Sequence, residues 1–553
     1  MNVLLALLPA LPAILALGAL SGHLGGRGLP LSVTGVGALA GALAVTGAEP
    51  LHLDWLLLGT TLGLDPTSQA LLGAAAILWT AAAIAARTLF DGDAGSRFGM
   101  CFLLTLAGNL GVIVTQDLAA FYLSFAVMTF AAYGLVVHDE STEAVRAGRI
   151  YLILSIAGEA LLLSGVFMLA AEAGNPTMAT IADVYGELQR PELVGGLLVA
   201  GFAVKMGVIP LHVWLPLAHP AAPVPASAVL SGIIVKGGLL GWLQFLPAGE
   251  PALPLAGVTL AALGLVSAFG AALMGCFQHR AKTVLAYSTI SQMGLLAIPT
   301  GLLIAGHGDA APLIPAMALF AVHHALTKGA LFLAMDHVKH GRKAVAVITA
   351  LPALALVGVP VTSGLVAKAA MKAALPEPFV LVLTLTAITT ALLLLRFMCL
   401  IWPGRDATPR ALQPGAFLVW LLVVITAQTL PWMLAKGQAR AYALEFTTLV
   451  DALWPPLVAL LIAGLAAEIL KRWPALPEGD LVVPVERALK AVYWRLVRGY
   501  LLLARRAPTL RRRVVPDHWL RPPERIPEPG IPWVGVLMLA VTLVLTLAYV
   551  VVL

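Results

Sequence analysis

The chain has 553 residues, of which 60% are hydrophobic and 11% charged, with a mean hydropathy of +0.93. A soluble protein of this length would carry roughly 25% charged residues, so a soluble globular fold is excluded. The formal net charge of +6 falls in the segments between apolar runs and calls for no nucleic-acid partner.

Apolar runs of about 20 residues recur along almost the whole sequence, which reads as an all-α polytopic membrane protein of about 14–16 transmembrane helices. The runs are continuous rather than alternating, which excludes a β-barrel. Helices are predicted at about 3–21, 30–48, 66–88, 98–115, 117–137, 150–171, 194–209, 223–244, 254–276, 283–303, 311–337, 344–375, 378–402, 413–435, 449–470 and 531–552. The first run, "NVLLALLPALPAILALGALSG", resembles a signal peptide but has no basic leading region, so it is read as a retained helix.

Charge in the connecting segments orients the chain. With the N-terminus outside, the cytoplasmic loops hold Arg27, Arg87 and Arg97, Arg146 and Arg149, Arg280 and Lys282, Lys339 to Lys343, Arg405 and Arg410, and Lys471 and Arg472. The opposite loops hold only Arg190, Lys436 and Arg440, and "EAGNPTMATIADVYGELQRPEL" is acidic on balance. A multi-pass protein of a bacterial or archaeal-type inner membrane follows. Residues 480–529 depart from this pattern. "VERALKAVYWRLVRGYLLLARRAPTLRRR" mixes apolar and basic positions at helical spacing before the proline-rich "RPPERIPEPGIP". It reads as an amphipathic helix on the cytoplasmic face, with Tyr493 and Trp494 at the interface and arginines toward lipid phosphates. Residues 530–553 would be a last transmembrane helix.

Three cysteines, Cys101, Cys276 and Cys399, sit alone in or at the ends of apolar runs. With no CxxC, no histidine–carboxylate metal spacing and no phosphate-cradling glycine loop, they read as buried small hydrophobes. No metal, cofactor or catalytic residue is predicted, and any redox chemistry would be a partner's.

The chemistry is carried by charges placed where hydrocarbon is expected. In "FAVKMGVIPLHVWLPLAHPAAPVPASAVLSGIIVKG", Lys205 falls near the middle of the seventh predicted span and Lys236 lies within the eighth. A lysine at that depth costs roughly 2.5–3.5 kcal/mol on insertion scales. Pro210, Pro216, Pro220, Pro223 and Pro225, with His212 and His219 among them, interrupt helical hydrogen bonding just beyond Lys205. Freed carbonyls need water or protein partners, so this is read as a broken helix lining a hydrated cavity. Glu159, in "LSIAGEALLLSG", is at mid-depth in the sixth span. His324 and Lys328, in "AVHHALTKGALF", are four apart on one helix face. Lys368, in "GVPVTSGLVAKAAMKA", follows a second interruption at Pro360. Lys205 and Lys368 are five spans apart, which reverses orientation and suggests two inverted five-helix repeats, 98–244 and 254–402. They lie between N-terminal helices in 1–97 and C-terminal helices in 413–471. Burial eases a proton off an amine, a nearby carboxylate holds it on, and imidazole passes it either way near neutral pH. Such a set makes a proton relay.

"PLHVWLPLAHPAAPVPASAVLSGIIVKGG", "KTVLAYSTISQMG", "HALTKGALFL" and "GVPVTSGLVAK", in that order, resemble the antiporter-like membrane subunits of respiratory complex I and of Mrp-type antiporters. That family has relatives in membrane-bound hydrogenases and inorganic-carbon pumps. The resemblance implies fourteen helices in two inverted repeats. It also implies a proton relay through Glu159, Lys205, Lys236, His324, Lys328 and Lys368, with Lys368 toward the outer exit. Two positions depart from the family pattern. Its span-5 glutamate, which pairs with the span-7 lysine, is Ala126 here, in "SFAVMTF". Its aspartate before "LAYST" is Arg280. Either Glu159 or a neighbouring subunit would then supply the missing carboxylate, or the channel is uncoupled or specialised.

The expected function is a proton-translocating subunit, with sodium as the alternative ion, of a multi-subunit membrane complex. Two alternatives stand beside it. One is the membrane subunit of a two-component inorganic-carbon (CO2/bicarbonate) pump, driven by proton flow and partnered by a soluble zinc protein. The other is a structural scaffold with an inactive ion path. In each case the partners are other membrane subunits and the lipid bilayer.

Overall fold

A computed structural model describes residues 2–21, 24, 26–404, 412–472 and 495. The chain divides into two compact units, Met1–Glu478 and Gly479–Leu553, and every described residue but Arg495 belongs to the first. The predicted amphipathic segment 480–529 and the predicted last helix 531–552 therefore lie outside the described residues, Arg495 apart.

The first unit is an all-α polytopic membrane fold. It opens with α1 (Val3–Leu20), α2 (Gly28–Thr46), α3 (Pro66–Ala85), α4 (Gly92–Val114), α5 (Leu118–Val136) and α6 (Thr142–Ala173). Next come the short α7 (Ile181–Glu187) and two half-helices, α8 (Pro191–Met206) and α9 (Trp214–Ala221). The following span runs from α10 (Val224–Val229) through a π-turn at Leu230–Ile234 into α11 (Lys236–Phe245). Another joins α12 (Pro254–Val266) to α13 (Ala272–Cys276) through a π-turn at Ser267–Ala271. Then follow α14 (Ala281–Ile304), α15 (Ala310–Val338), the half-helices α16 (Lys343–Val357) and α17 (Ser363–Ala374), and α18 (Glu377–Ile401). The unit closes with α19 (Pro414–Leu434), α20 (Gly437–Leu444) and α21 (Phe446–Arg472).

Among the described residues, 13 helical segments are long and apolar enough to cross a membrane. The predicted spans missing from that number are the two broken ones and the one beyond the described residues. The predicted span 344–375 is two helices, α16 and α17, separated at Gly358–Thr362 around the interruption expected at Pro360. Helix α6 starts eight residues earlier than its apolar run, because the Ser141 hydroxyl accepts from Ala144 N at 3.1 Å and Glu143 sits in the positive first turn.

Burial grades outward from the middle of the bundle. The most apolar window of α14 is wholly buried, whereas that of α21 is 11% buried. Helices α12 and α14 meet through small residues: a Cβ on Gly294 would stand 2.6 Å from the backbone of Ala268 and Gly264, and one on Gly301 2.5 Å from Gly257 O. Backbones approach this closely only where side chains are minimal.

The sequence reading has no counterpart for the short helices α7, α9 and α20, nor for an antiparallel hairpin of β1 (Leu51–Leu53) and β2 (Thr60–Leu62), registered Leu51–Leu62, His52–Thr61 and Leu53–Thr60. The hairpin is held by Asp117, a buried residue whose carboxylate accepts from Thr61 N at 2.8 Å and from Ala120 N at 2.9 Å, capping α5. The Asn175 amide donates to Asp117 Oδ1 and to Gly59 O. At the other end of the bundle, basic loops are tied by the Arg97–Glu140 pair at 2.8 Å and the Arg280–Glu143 pair.

Candidate proton-relay site

The first helix break is built from a glycine and its backbone partners. Helix α8 stops at Met206, and Gly207 takes a left-handed conformation (φ +69°). The Trp214 indole donates to Val204 O at 2.8 Å, and Ile209 N donates to Ser267 Oγ at 2.9 Å. Polar backbone exposed by the break is thereby satisfied by side chains, as burial requires. Of the prolines read as breakers, Pro210 is exposed at the break, Pro223 precedes α10 and Pro225 is buried in its first turn.

Lys205 is the last residue but one of α8, directly before this break, and is buried. Its Nζ donates to Tyr151 Oη at 3.5 Å, while Tyr151 Oη donates to Thr129 O at 2.6 Å. The amine also lies 5.4 Å from the Phe125 ring centroid and 5.6 Å from that of Tyr151, within cation–π range. Lys205 and Glu159 line one small cavity with Phe125, Thr129, Ser155 and Trp214. No salt bridge closes across it, and neither Glu159 carboxylate oxygen has a hydrogen-bond partner. Phe125 and Thr129 of α5 line the cavity and Ala126 does not; the acid facing Lys205 comes from α6.

The second cluster is centred on Lys236. Its Nζ donates to Ser231 O at 2.9 Å and meets His324 Nδ1 at 2.5 Å. The π-turn immediately before Lys236 sets the rotation of α11 that makes both contacts, in keeping with the habit of π-turns at working sites. Ser231 Oγ is joined to Thr289 Oγ1 at 2.7 Å. Lys328, one turn beyond His324 on α15, donates instead to Leu285 O at 2.9 Å. His219 is buried with neither ring nitrogen hydrogen-bonded, its ring 4.7 Å from that of Phe332, and Lys282 and Lys328 are the cations that face it. Lys282 Nζ donates to Ala222 O at 2.6 Å. His212 is buried, its ring 6.4 Å from that of Tyr287.

The second break places Lys368. Helix α16 ends at Val357, Gly358 is left-handed (φ +90°), Pro360 is half-buried and α17 starts at Ser363. Lys368 Nζ donates to Val357 O at 2.7 Å, so the ammonium caps the negative end of the preceding half-helix. Lys205, Lys236, Lys328 and Lys368 are all buried; the amines do not snorkel.

Sequence reasoning passed over Tyr151, Ser231, His323, Ser363 and Gln428. Tyr151 shares a helix with Glu159, eight residues away. His323 lies inside a quoted motif, but nothing in the sequence says which way it faces. Gln428, an amide in the middle of the apolar α19, was a legible signal; its Oε1 accepts from Ser363 N at 3.3 Å.

Residues 115–394, just over half of the chain, match the transmembrane family described as NADH:quinone oxidoreductase/Mrp antiporter. NADH-quinone oxidoreductase subunit N of Desulforudis audaxviator is 30% identical over 55% of this chain and 62% of its own length. Hydrogenase-4 component B of Escherichia coli is 27% identical over 44% of this chain and 38% of its own length. One subunit of a probable K(+)/H(+) antiporter in Rhizobium meliloti is 30% identical over 45% and 47%, respectively. The chain thus spans between about two-fifths and three-fifths of these relatives. Two solved structures share the fold at 20% identity, each over 82% of this chain. One is in an archaeal membrane-bound sulfane sulfur reductase (TM-score 0.67, all of that chain) and one in the Mrp complex of a Dietzia species (0.66, 99% of that chain). The protein is a member of the NADH:quinone oxidoreductase/Mrp antiporter transmembrane family.

Proposed function

We propose that this chain carries protons across the membrane as one subunit of a larger membrane complex. The path runs through Glu159, Lys205, Lys236, His324, Lys328 and Lys368, and the two broken-helix units act as inverted repeats. The observation that carries the reading is the 2.5 Å contact between Lys236 Nζ and His324 Nδ1 in a fully buried setting. An amine and an imidazole in contact can share one proton but cannot both hold one comfortably, so a charge arriving from either side displaces it. Protons suit the site better than sodium. The path is made of amines and imidazoles, which exchange protons, and Glu159 is its one carboxylate, whereas a sodium site needs several oxygen donors. Relatives named as subunits of NADH-quinone oxidoreductase and of a K(+)/H(+) antiporter support assembly with other membrane subunits. The N-terminus is placed outside and the basic loops on the cytoplasmic side.

Reconstituting the whole complex with Lys205→Ala or Lys236→Ala and following a pH-sensitive dye in proteoliposomes tests the proposal. Flux should fall about a hundredfold, the low end of what a positioned proton-transfer group contributes. Unchanged flux in both variants would overturn it and leave a scaffold.

A further inference from the structure

Adjacent residues on a helix point about 100° apart, and α15 uses this at two consecutive histidines. His324 turns toward α11 and takes Lys236, as described. His323 turns the other way. It is fully buried, its Nδ1 lies 3.0 Å from Ser363 Oγ, and Thr327 Oγ1 is 3.4 Å away on its own helix. Its Nε2 is buried with no partner. The cations near it are Lys368 and Lys236.

Ser363 is the first residue of α17, the half-helix that bears Lys368 five positions on. Gln428 fixes that first residue from outside by accepting its backbone N–H, and the Gln428 Nε2 is itself buried without a partner. The serine hydroxyl therefore sits on the element that carries the terminal lysine while touching the helix that carries the central histidine. A packed imidazole with one nitrogen on a hydroxyl and the other free to accept is arranged to pass a proton rather than to hold the fold together.

We propose that His323 and Ser363 form the link through which protons pass between the Lys236–His324 pair and Lys368. A proton arrives at Nε2 from the Lys236 side. The Nδ1 proton moves to Ser363 Oγ, and the hydroxyl releases its own proton, directly or through one water, to the neutral Lys368 amine. Imidazole and serine end neutral, and Lys368 ends as the ammonium. The return to the starting tautomer, by ring rotation or proton shift, readies the link for the next transfer. This rests on the proton-path reading above.

The test uses the complete complex in proteoliposomes with the same dye assay. His323→Gln keeps a polar side chain but cannot relay a proton from one nitrogen to another. Ser363→Ala removes the hydroxyl, and Ser363→Thr restores it. Flux should fall at least about tenfold in H323Q and S363A and recover in S363T, all with wild-type levels of assembled complex. Flux within twofold of wild type in both H323Q and S363A would overturn the link. Equal loss in S363A and S363T would overturn it too, since the hydroxyl would then not be what matters. If H323Q fails to assemble, the two serine variants decide. The Lys236→Ala control separates the two failures. If it stops flux while H323Q and S363A do not, only the link falls; if it and Lys205→Ala both leave flux intact, the proton path itself falls.

Discussion

At the scale of one residue, Tyr151 of α6 offers Lys205 an oxygen acceptor. Its hydroxyl is held by Thr129 O and presents its oxygen to Lys205, fixing the amine across a small cavity from Glu159. Burying a polar group against a charge without that bond costs about 1 kcal/mol at this length. Tyr151→Phe should therefore slow proton flux by about fivefold while leaving assembly intact, read by dye quenching in proteoliposomes. Unaltered flux would reduce Tyr151 to a packing role. That Glu159 and Lys205, which line one cavity without a salt bridge, would face one another was legible as two charges in neighbouring spans. The tyrosine was not, because nothing in "GRIYLILSIAGEALLL" marks one aromatic as facing the interior. His323 was illegible for a related reason: which of two neighbouring histidines faces which helix depends on a rotation that one sequence does not fix.

At the scale of elements, the helix breaks and the helix contacts were legible to different degrees. The prolines from Pro210 to Pro225 and Pro360 announced both breaks, since a residue without an N–H ends a helix; the left-handed Gly207 and Gly358 that close α8 and α16 were seen only in the structure. The π-turns before Lys236 and within the α12–α13 span left no such mark; "LSGII" and "SAFGA" are ordinary helical composition. The hairpin was missed because its strands are three residues each, too short for an alternating pattern. The α12–α14 seam makes its own demand. Gly294→Leu would force a side chain into the backbone of α12 and its π-turn, and overpacking of this kind costs typically about 1–3 kcal/mol. The solubilised protein should then unfold at lower temperature than wild type, with Gly294→Ala intermediate. Equal melting temperatures for all three would show that the seam yields.

At the scale of the molecule, the helical runs were readable because the bilayer demands continuous apolar length, and the proposed orientation rests on where the basic residues lie. Glu187 in α7 and Glu140 beside the Arg97 pair are both exposed, at the hairpin end and at the basic end respectively. With Cys101, Cys276 and Cys399 replaced by serine, a membrane-impermeant maleimide added to intact cells should label Glu187→Cys and spare Glu140→Cys. The reverse pattern would invert the orientation. The two rims of the bundle are also fastened by different means. One is cinched by carboxylate–guanidinium clasps open to the bath, where dissolved ions weaken attraction over about 10 Å. The other is stitched around Asp117, out of reach of those ions. Brine and fresh water therefore meet two unlike edges of one protein, the basic rim slackening as salt rises while the hairpin rim keeps its grip.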